Sequence, residues 1–184
     1  DCPALDYADL DEMHWAHYEI DYCIDSKLLI GTSTQTFAPE DPMTRAMIAT
    51  VFYRLADAPS VSGKENPYSD VYDDYYRDAA VWMHSSGVNL DDGYGFFRPD
   101  DIVTRQEFAY LLYRFSGSGK PDADLTAFSD AGNVNDKYLD AMKWAVANGI
   151  IIGTDEGTLE PTSGASRAEI SAMLYRFLHA TNSI

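Results

Sequence analysis

Three arginines stand where a helix should not favour them. Arg45, Arg105 and Arg167 each follow a hydroxyl residue, Thr44, Thr104 and Ser166, that suits the N-cap of an apolar helix, in "TRAMIATVFYRL", "TRQEFAYLLYRF" and "SRAEISAMLYRF". A cation at the first helical position opposes the positive end of the helix dipole, at a cost of about 0.3–1 kcal/mol when exposed. Its recurrence therefore calls for a counterpart. One candidate is an acidic side chain from a neighbouring segment, such as Asp9, Asp70 or Asp130. The other is an anionic ligand: a guanidinium fork pairs bidentately with a carboxylate, and free N–H groups of the same first turn would add donors. Arg54, Arg114 and Arg176, nine residues further on, fall in the last turn, where the dipole favours a cation, and read as structural.

The residues around these arginines vary between copies. Glu107 and Glu169 lie three residues after their caps and complete a capping box, whereas Met47 replaces the glutamate in the first copy. Gly31 and Gly153 share a column in which the second copy has Asp91; a glycine there allows close backbone approach or a positive φ. Lys27 stands where Gly87 and Gly149 end their helices, so it weakens the first copy's helix stop. Tyr22, Trp82 and Trp144 form an aromatic column that could stack on a ligand ring or fill the core, and Trp15 lies outside the columns. His14 and His17 have no third ligand at a metal-binding spacing, and the paired acids at 73, 91 and 100 fit no calcium-loop spacing, so no metal or other cofactor is expected. No nucleophile elbow, zinc-protease or phosphate-loop motif occurs, so no catalytic residue is assigned.

These features recur because the chain is a repeat. Pro39, Pro99 and Pro161 each precede their arginine by six residues, and "YAD", "YSD" and "FSD" at 7–9, 68–70 and 128–130 open three units. We place the units at 1–58, 59–118 and 119–184. Within each, an apolar-periodic helix, a turn-rich loop and a second helix follow in order. The second carries Ile48, Val51, Phe52 and Leu55 in the first copy, and Ile170, Met173, Leu174 and Phe177 in the third. In the third unit an Asn near the start of "NVNDKYLDAMKWAVANG" is placed to cap the first helix. One such pair of helices cannot cover its own apolar stripe, so the second helices are expected to pack together in a shared core.

Bulk composition bounds the rest. With 184 residues, 46% of them hydrophobic, the chain can bury a core, and its net charge of −17 disfavours nucleic acid and anionic membranes as partners. No apolar run is long enough to insert in a membrane. The chain opens at "DCPALDYADL" without Met or signal peptide, as a processed fragment would. Cys2 and Cys23 would form one staple or stay free.

The aromatic-x-Asp opening, the mid-helix aromatic, the glycine-bounded helix end, the loop closing on Phe-x-Pro and the Thr-Arg-Ala-Glu-like helix start together resemble the S-layer homology repeat, in three copies over residues 7–178. The resemblance implies an all-α fold, a pseudo-threefold pseudo-trimer around a central three-helix bundle with grooves between units. It further implies a secreted cell-surface module that binds an acidic, pyruvylated secondary cell-wall polysaccharide. On that basis the expected ligand residues are Arg167, Gly153 and Glu169 as the most intact site, then Arg45 with Gly31, then Arg105, with Trp144 and Trp82 as sugar-stacking candidates. The alternative is an assembly module whose arginines make salt bridges to protein in a surface lattice.

Overall fold

The computed structural model describes residues 2–181, which form six α-helices and no strands. These are α1 (His17–Asp25), α2 (Arg45–Leu55), α3 (Arg77–Ser86), α4 (Arg105–Ser116), α5 (Leu139–Ala147) and α6 (Arg167–Thr181), with short 3-10 turns before α1 and α5. The second helix of each unit starts where its hydroxyl residue caps it. Thr104 Oγ1 accepts from Glu107 N at 3.3 Å while Glu107 Oε2 accepts from Thr104 N at 2.9 Å. Ser166 and Glu169 make the same reciprocal pair at 3.2 and 2.8 Å. Thr44 keeps only its half, accepting from Met47 N at 3.3 Å.

The first helices begin differently. Asn135 does not cap α5; its N–H donates instead to Gln106 Oε1 at 3.0 Å, tying the third unit to α4. Their ends follow the expected left-handed stop, with φ of 75° at Gly87 and 67° at Gly149. Lys27 also turns left-handed, at φ 58°, so the first stop persists despite its side chain, at a conformational cost of about 1–2 kcal/mol.

The units are not self-contained hairpins. α1 packs on α6, α3 on α2 and α5 on α4, so each first helix lies against the second helix of the unit before it, and α6 closes the cycle onto α1. The second helices meet as the apolar stripes imply: Phe52 touches Phe108 and Phe115 at 5.7 and 5.8 Å between centroids, and Phe115 reaches Phe177 at 6.2 Å.

Ahead of these helices the backbones close a small ring. Met43 N donates to Ala165 O (3.2 Å), Ala165 N to Val103 O (3.0 Å) and Val103 N to Met43 O (3.0 Å). The first two N–H groups of each second helix, which lack partners within the helix, donate into a neighbouring loop. Arg45 and Ala46 bond Asp101 O and Pro99 O, Arg105 and Gln106 bond Ser163 O and Pro161 O, and Arg167 and Ala168 bond Asp41 O and Pro39 O.

Those loops are shaped by the aspartate that opens each unit. Asp9 accepts from the N–H groups of Phe37 and Ala38 at 2.8 and 2.7 Å. Asp70 does so from Phe97 and Arg98, at 2.8 and 2.7 Å, and Asp130 from Leu159 and Glu160, both at 2.8 Å. The residue before each proline is left-handed in all three, with φ of 60° at Ala38, 57° at Arg98 and 49° at Glu160. Two successive N–H groups in such a turn form an anion-binding concavity, and the carboxylate occupies it. Removing that acceptor in Asp130→Ala is expected to lower unfolding free energy in urea by about 2–3 kcal/mol, since bonds to a charged group are worth about 1.5–3. Lys27→Gly is expected to raise it by about 0.5–1 kcal/mol by relieving the left-handed side chain.

Candidate ligand grooves

Two grooves are built from equivalent positions of different units. One, of about 420 Å³, runs along Ile150–Asp155 and is lined by Gly153, Arg105, Glu169, Met173, Arg176 and Trp15. The other, of about 310 Å³, runs along Leu29–Thr32 and is lined by Gly31, Arg167, Met47, Val51, Arg54 and Tyr75. In each, the loop and last-turn arginine come from one unit, the first-turn arginine from the unit before and the aromatic from the unit after, counting cyclically. The grouping expected from the sequence is thereby corrected. Gly153 and Glu169 stand with Arg105, and Arg167 stands with Gly31, because a helix start docks on the neighbouring loop rather than its own.

The first-turn arginines are all buried, at 8%, 8% and 5% exposure for Arg45, Arg105 and Arg167. Arg105 gives Nε to Leu159 O at 2.8 Å and Nη1 to Glu169 Oε1 at 2.7 Å. Arg167 gives Nε to Phe37 O at 2.7 Å and Nη2 to Ile30 O, with its Cζ 4.4 Å from the Phe37 ring centroid. Desolvation holds the Arg167 guanidinium below its ordinary pKa. Neighbouring carbonyls and a ring face thus offset the unfavourable dipole. The aspartates offered as partners, Asp9, Asp70 and Asp130, are engaged by backbone N–H groups instead. The first-turn N–H groups, expected to be free for a ligand, are likewise engaged by loop carbonyls.

Arg45 is the exception. Its Cζ lies 5.5 Å from the Phe97 centroid, but its buried Nε has no hydrogen-bond partner among the described residues. It borders a void of about 10 Å³ lined by Ile48, Met83, Leu90 and Phe97. In the same unit junction Asp91 occupies the glycine column and is held by the unit's own side chains: Tyr68 OH donates to Oδ1 at 2.6 Å and His84 Nδ1 lies 2.8 Å from Oδ2. Burial, reinforced by the Asp91 bond, pushes the Tyr68 phenol far above its ordinary pKa.

The glycines owe their identity to packing. A Cβ at Gly31 would lie 2.2 Å from Tyr7 Cε1, and one at Gly153 2.5 Å from Phe128 Cε1. Tyr7 OH accepts from Gly31 N at 3.0 Å, while Tyr68, its counterpart, turns to the Asp91 carboxylate. Trp82 and Trp144, expected as stacking residues, are 8% and 6% exposed and belong to the core against Phe115 and Phe177. The groove aromatics are Trp15 and Tyr75, each two residues before a first helix. Trp15 lies seven residues before Tyr22 and Tyr75 seven before Trp82, as Lys137 does before Trp144, so these positions form a further gap-free column that brings Trp15 within the repeat. Arg54 and Arg176 donate to the helix-end carbonyls Leu28 O (3.2 Å) and Ile150 O (3.4 Å), as structural residues would, but also line the grooves. Cys2 and Cys23 are both free, Cys23 buried and Cys2 bonded to Asp21 and near His17. Among the described residues no cluster of His, Cys, Asp or Glu is placed to hold a metal, and no helix is long and apolar enough to cross a membrane.

Residues 6–47 and 127–170 match the family model of the S-layer homology domain. These two segments are S-layer homology domains. The chain is 26% identical to the S-layer protein of Bacillus licheniformis over 91% of its length and 19% of the relative's. It is 33% identical to the cellulosome-anchoring protein of Acetivibrio thermocellus, over 77% of the chain and 33% of that protein. With Exoglucanase XynX of Acetivibrio thermocellus it shares 24% identity over 93% of the chain but 16% of the enzyme. The chain therefore spans a third or less of these relatives. S-layer homology domains are cell-wall anchoring modules, and they place the chain, as a secreted protein, at the cell surface or cell wall.

The unequal pairing of the arginines has a measurable consequence. Arg105→Met and Arg167→Met each leave buried carbonyls, and in the first case Glu169, without donors, and are expected to lower stability by about 2–4 kcal/mol. Arg45→Met replaces a buried cation, whose Nε has no hydrogen-bond partner among the described residues, by an apolar chain beside a void. It is expected to change stability by less than about 1 kcal/mol, or to raise it. Urea unfolding of the three variants checks the order.

Proposed function

We propose that the module anchors its parent protein by binding an acidic sugar of the secondary cell-wall polysaccharide, of the pyruvate-ketal type, and that the groove at Gly31 is its principal site. The observation that carries this reading is that the Gly31 groove is lined by two arginines, Arg54 and Arg167, and, among the described residues, by no carboxylate. The Gly153 groove sets Asp155 and Glu169 against Arg105 and Arg176. On a chain of net charge −17 an anion is repelled at long range, but screening beyond about 8 Å leaves the local lining decisive. Arg54 is solvent-exposed and, among the described residues, has a single hydrogen bond, to Leu28 O, leaving most of its fork for a ligand carboxylate. Arg167, fixed to two carbonyls, shapes the groove floor and adds positive potential.

This reading reverses the value of the first copy. Losing the capping glutamate to Met47 weakens a helix start but removes a carboxylate from the groove mouth. The cyclic contacts support a pseudo-threefold body in which units 1–58, 59–118 and 119–184 fold together, so that each groove forms only when its neighbours do.

Two measurements test it. Sedimentation with purified wall sacculi should capture the chain, and chemical removal of the polysaccharide should abolish capture; undiminished binding after stripping contradicts the reading and favours protein contacts. Met47→Glu should complete the capping box, raising stability by up to about 1 kcal/mol, while weakening sacculus binding about tenfold through the added charge. A stabilised variant that binds as tightly as the parent would remove the case for the Gly31 groove.

A further inference from the structure

Two aromatic side chains stand at the groove mouths with their rings fixed from behind. Trp15 is 58% exposed and Tyr75 72%. The Trp15 indole stacks on His14, with centroids 5.9 Å apart at 27°. His14 is pinned in turn, its Nε2 3.1 Å from Glu40 Oε1 and its Nδ1 accepting from Ala16 N at 3.2 Å. Tyr75 meets Tyr76 edge-on at 5.2 Å, and Tyr76 OH donates to Asp74 at 3.1 Å. Desolvation and the charges of Asp100 and Asp74 hold the Tyr75 phenol above its ordinary pKa, with Arg54 near enough to oppose them. The equivalent position of the third unit is Lys137, whose Nζ lies over the rings of Tyr110 and Tyr138 at 5.7 and 5.4 Å. That junction therefore has a cation where the other two present a flat ring, and it is also the junction in which Asp91 replaces glycine.

We propose that Trp15 and Tyr75 are stacking platforms for a pyranose ring whose carboxylate is taken by the last-turn arginine of the same groove, Arg176 or Arg54. This rests on the acidic-sugar reading above and assigns the sugar's second recognition element. A pyranose presents a rim of hydroxyls and a face of C–H bonds. Arginines and backbone polar groups serve the rim, and only a flat, apolar, electron-rich surface serves the face. A ring already fixed by His14 or Tyr76 loses little conformational freedom on binding, which is the condition for a platform to add affinity. Because each platform belongs to the unit after the one that supplies the loop, a bound sugar spans a unit boundary. The module then holds two sugar sites, not three.

The probe is a methyl hexopyranoside carrying a pyruvate ketal, titrated into the millimolar range by calorimetry and by acrylamide quenching of tryptophan fluorescence. Trp82 and Trp144 are buried, so Trp15 dominates quenching. The wild-type chain should bind two molecules and become less quenchable. Trp15→Leu and Tyr75→Leu should each weaken one site about tenfold, with melting temperature unchanged, and Trp15→Tyr should restore the lost site. If the wild type binds the ketal sugar while both leucine variants bind identically and Trp15 stays fully quenchable, the platforms are refuted and the acidic-sugar reading stands. If the wild type binds no ketal sugar, both fall together.

Discussion

The structure depends on how the exposed starts of its second helices are satisfied. A helix leaves its first N–H groups without internal partners, and in each unit the first two are taken by carbonyls of the next loop, Pro99 and Asp101, Pro161 and Ser163, Pro39 and Asp41. The N-cap side chain takes a third. This requirement forces each helix start against a foreign loop, and the ring of Met43, Val103 and Ala165 bonds runs through the resulting junction. It also places a first-turn side chain directly among carbonyl oxygens. Arg105 and Arg167 are well served there even against the dipole, because their guanidiniums donate directly to those acceptors.

Within that frame, single substitutions give the three junctions different chemistry. Glu169 ties Arg105 down and puts a carboxylate in the groove, while Met47 leaves the equivalent place apolar and sends Arg167 to Ile30 O. Asp91 engages Tyr68 and His84, and Lys137 replaces an aromatic at the same junction. Arg45, left there with an unpaired Nε, shows that the arginine position is retained by the chain even where its usual acceptors are not engaged.

The caps, the apolar stripes and the left-handed helix ends were legible in the sequence because each depends on residues three or four apart. The capping boxes at Glu107 and Glu169 form as their spacing implies, as does the shared core through Phe52, Phe108 and Phe177. Partner choice was not legible. Columns aligned between copies are the same whether Arg167 meets the loop of its own unit or of the next, so Gly153 and Glu169 were grouped with the wrong arginine. Trp82 and Trp144 share a strong column because the core repeats, whereas Trp15 and Tyr75, seven residues upstream and in the same register, share theirs with Lys137, so no aromatic common to all three copies marks it. The opening aspartates read as generic acids; only the backbone shows them holding a left-handed turn.

We propose that the cycle of backbone bonds through Met43, Val103 and Ala165 joins the three units into a single cooperative body. Native-state hydrogen exchange of the Met43, Val103 and Ala165 amides tests it most directly. All three donors are buried and should exchange with one common free energy, equal to that of global unfolding. Exchange of any one of them through a local opening well below that value, with the other two still protected, would contradict it.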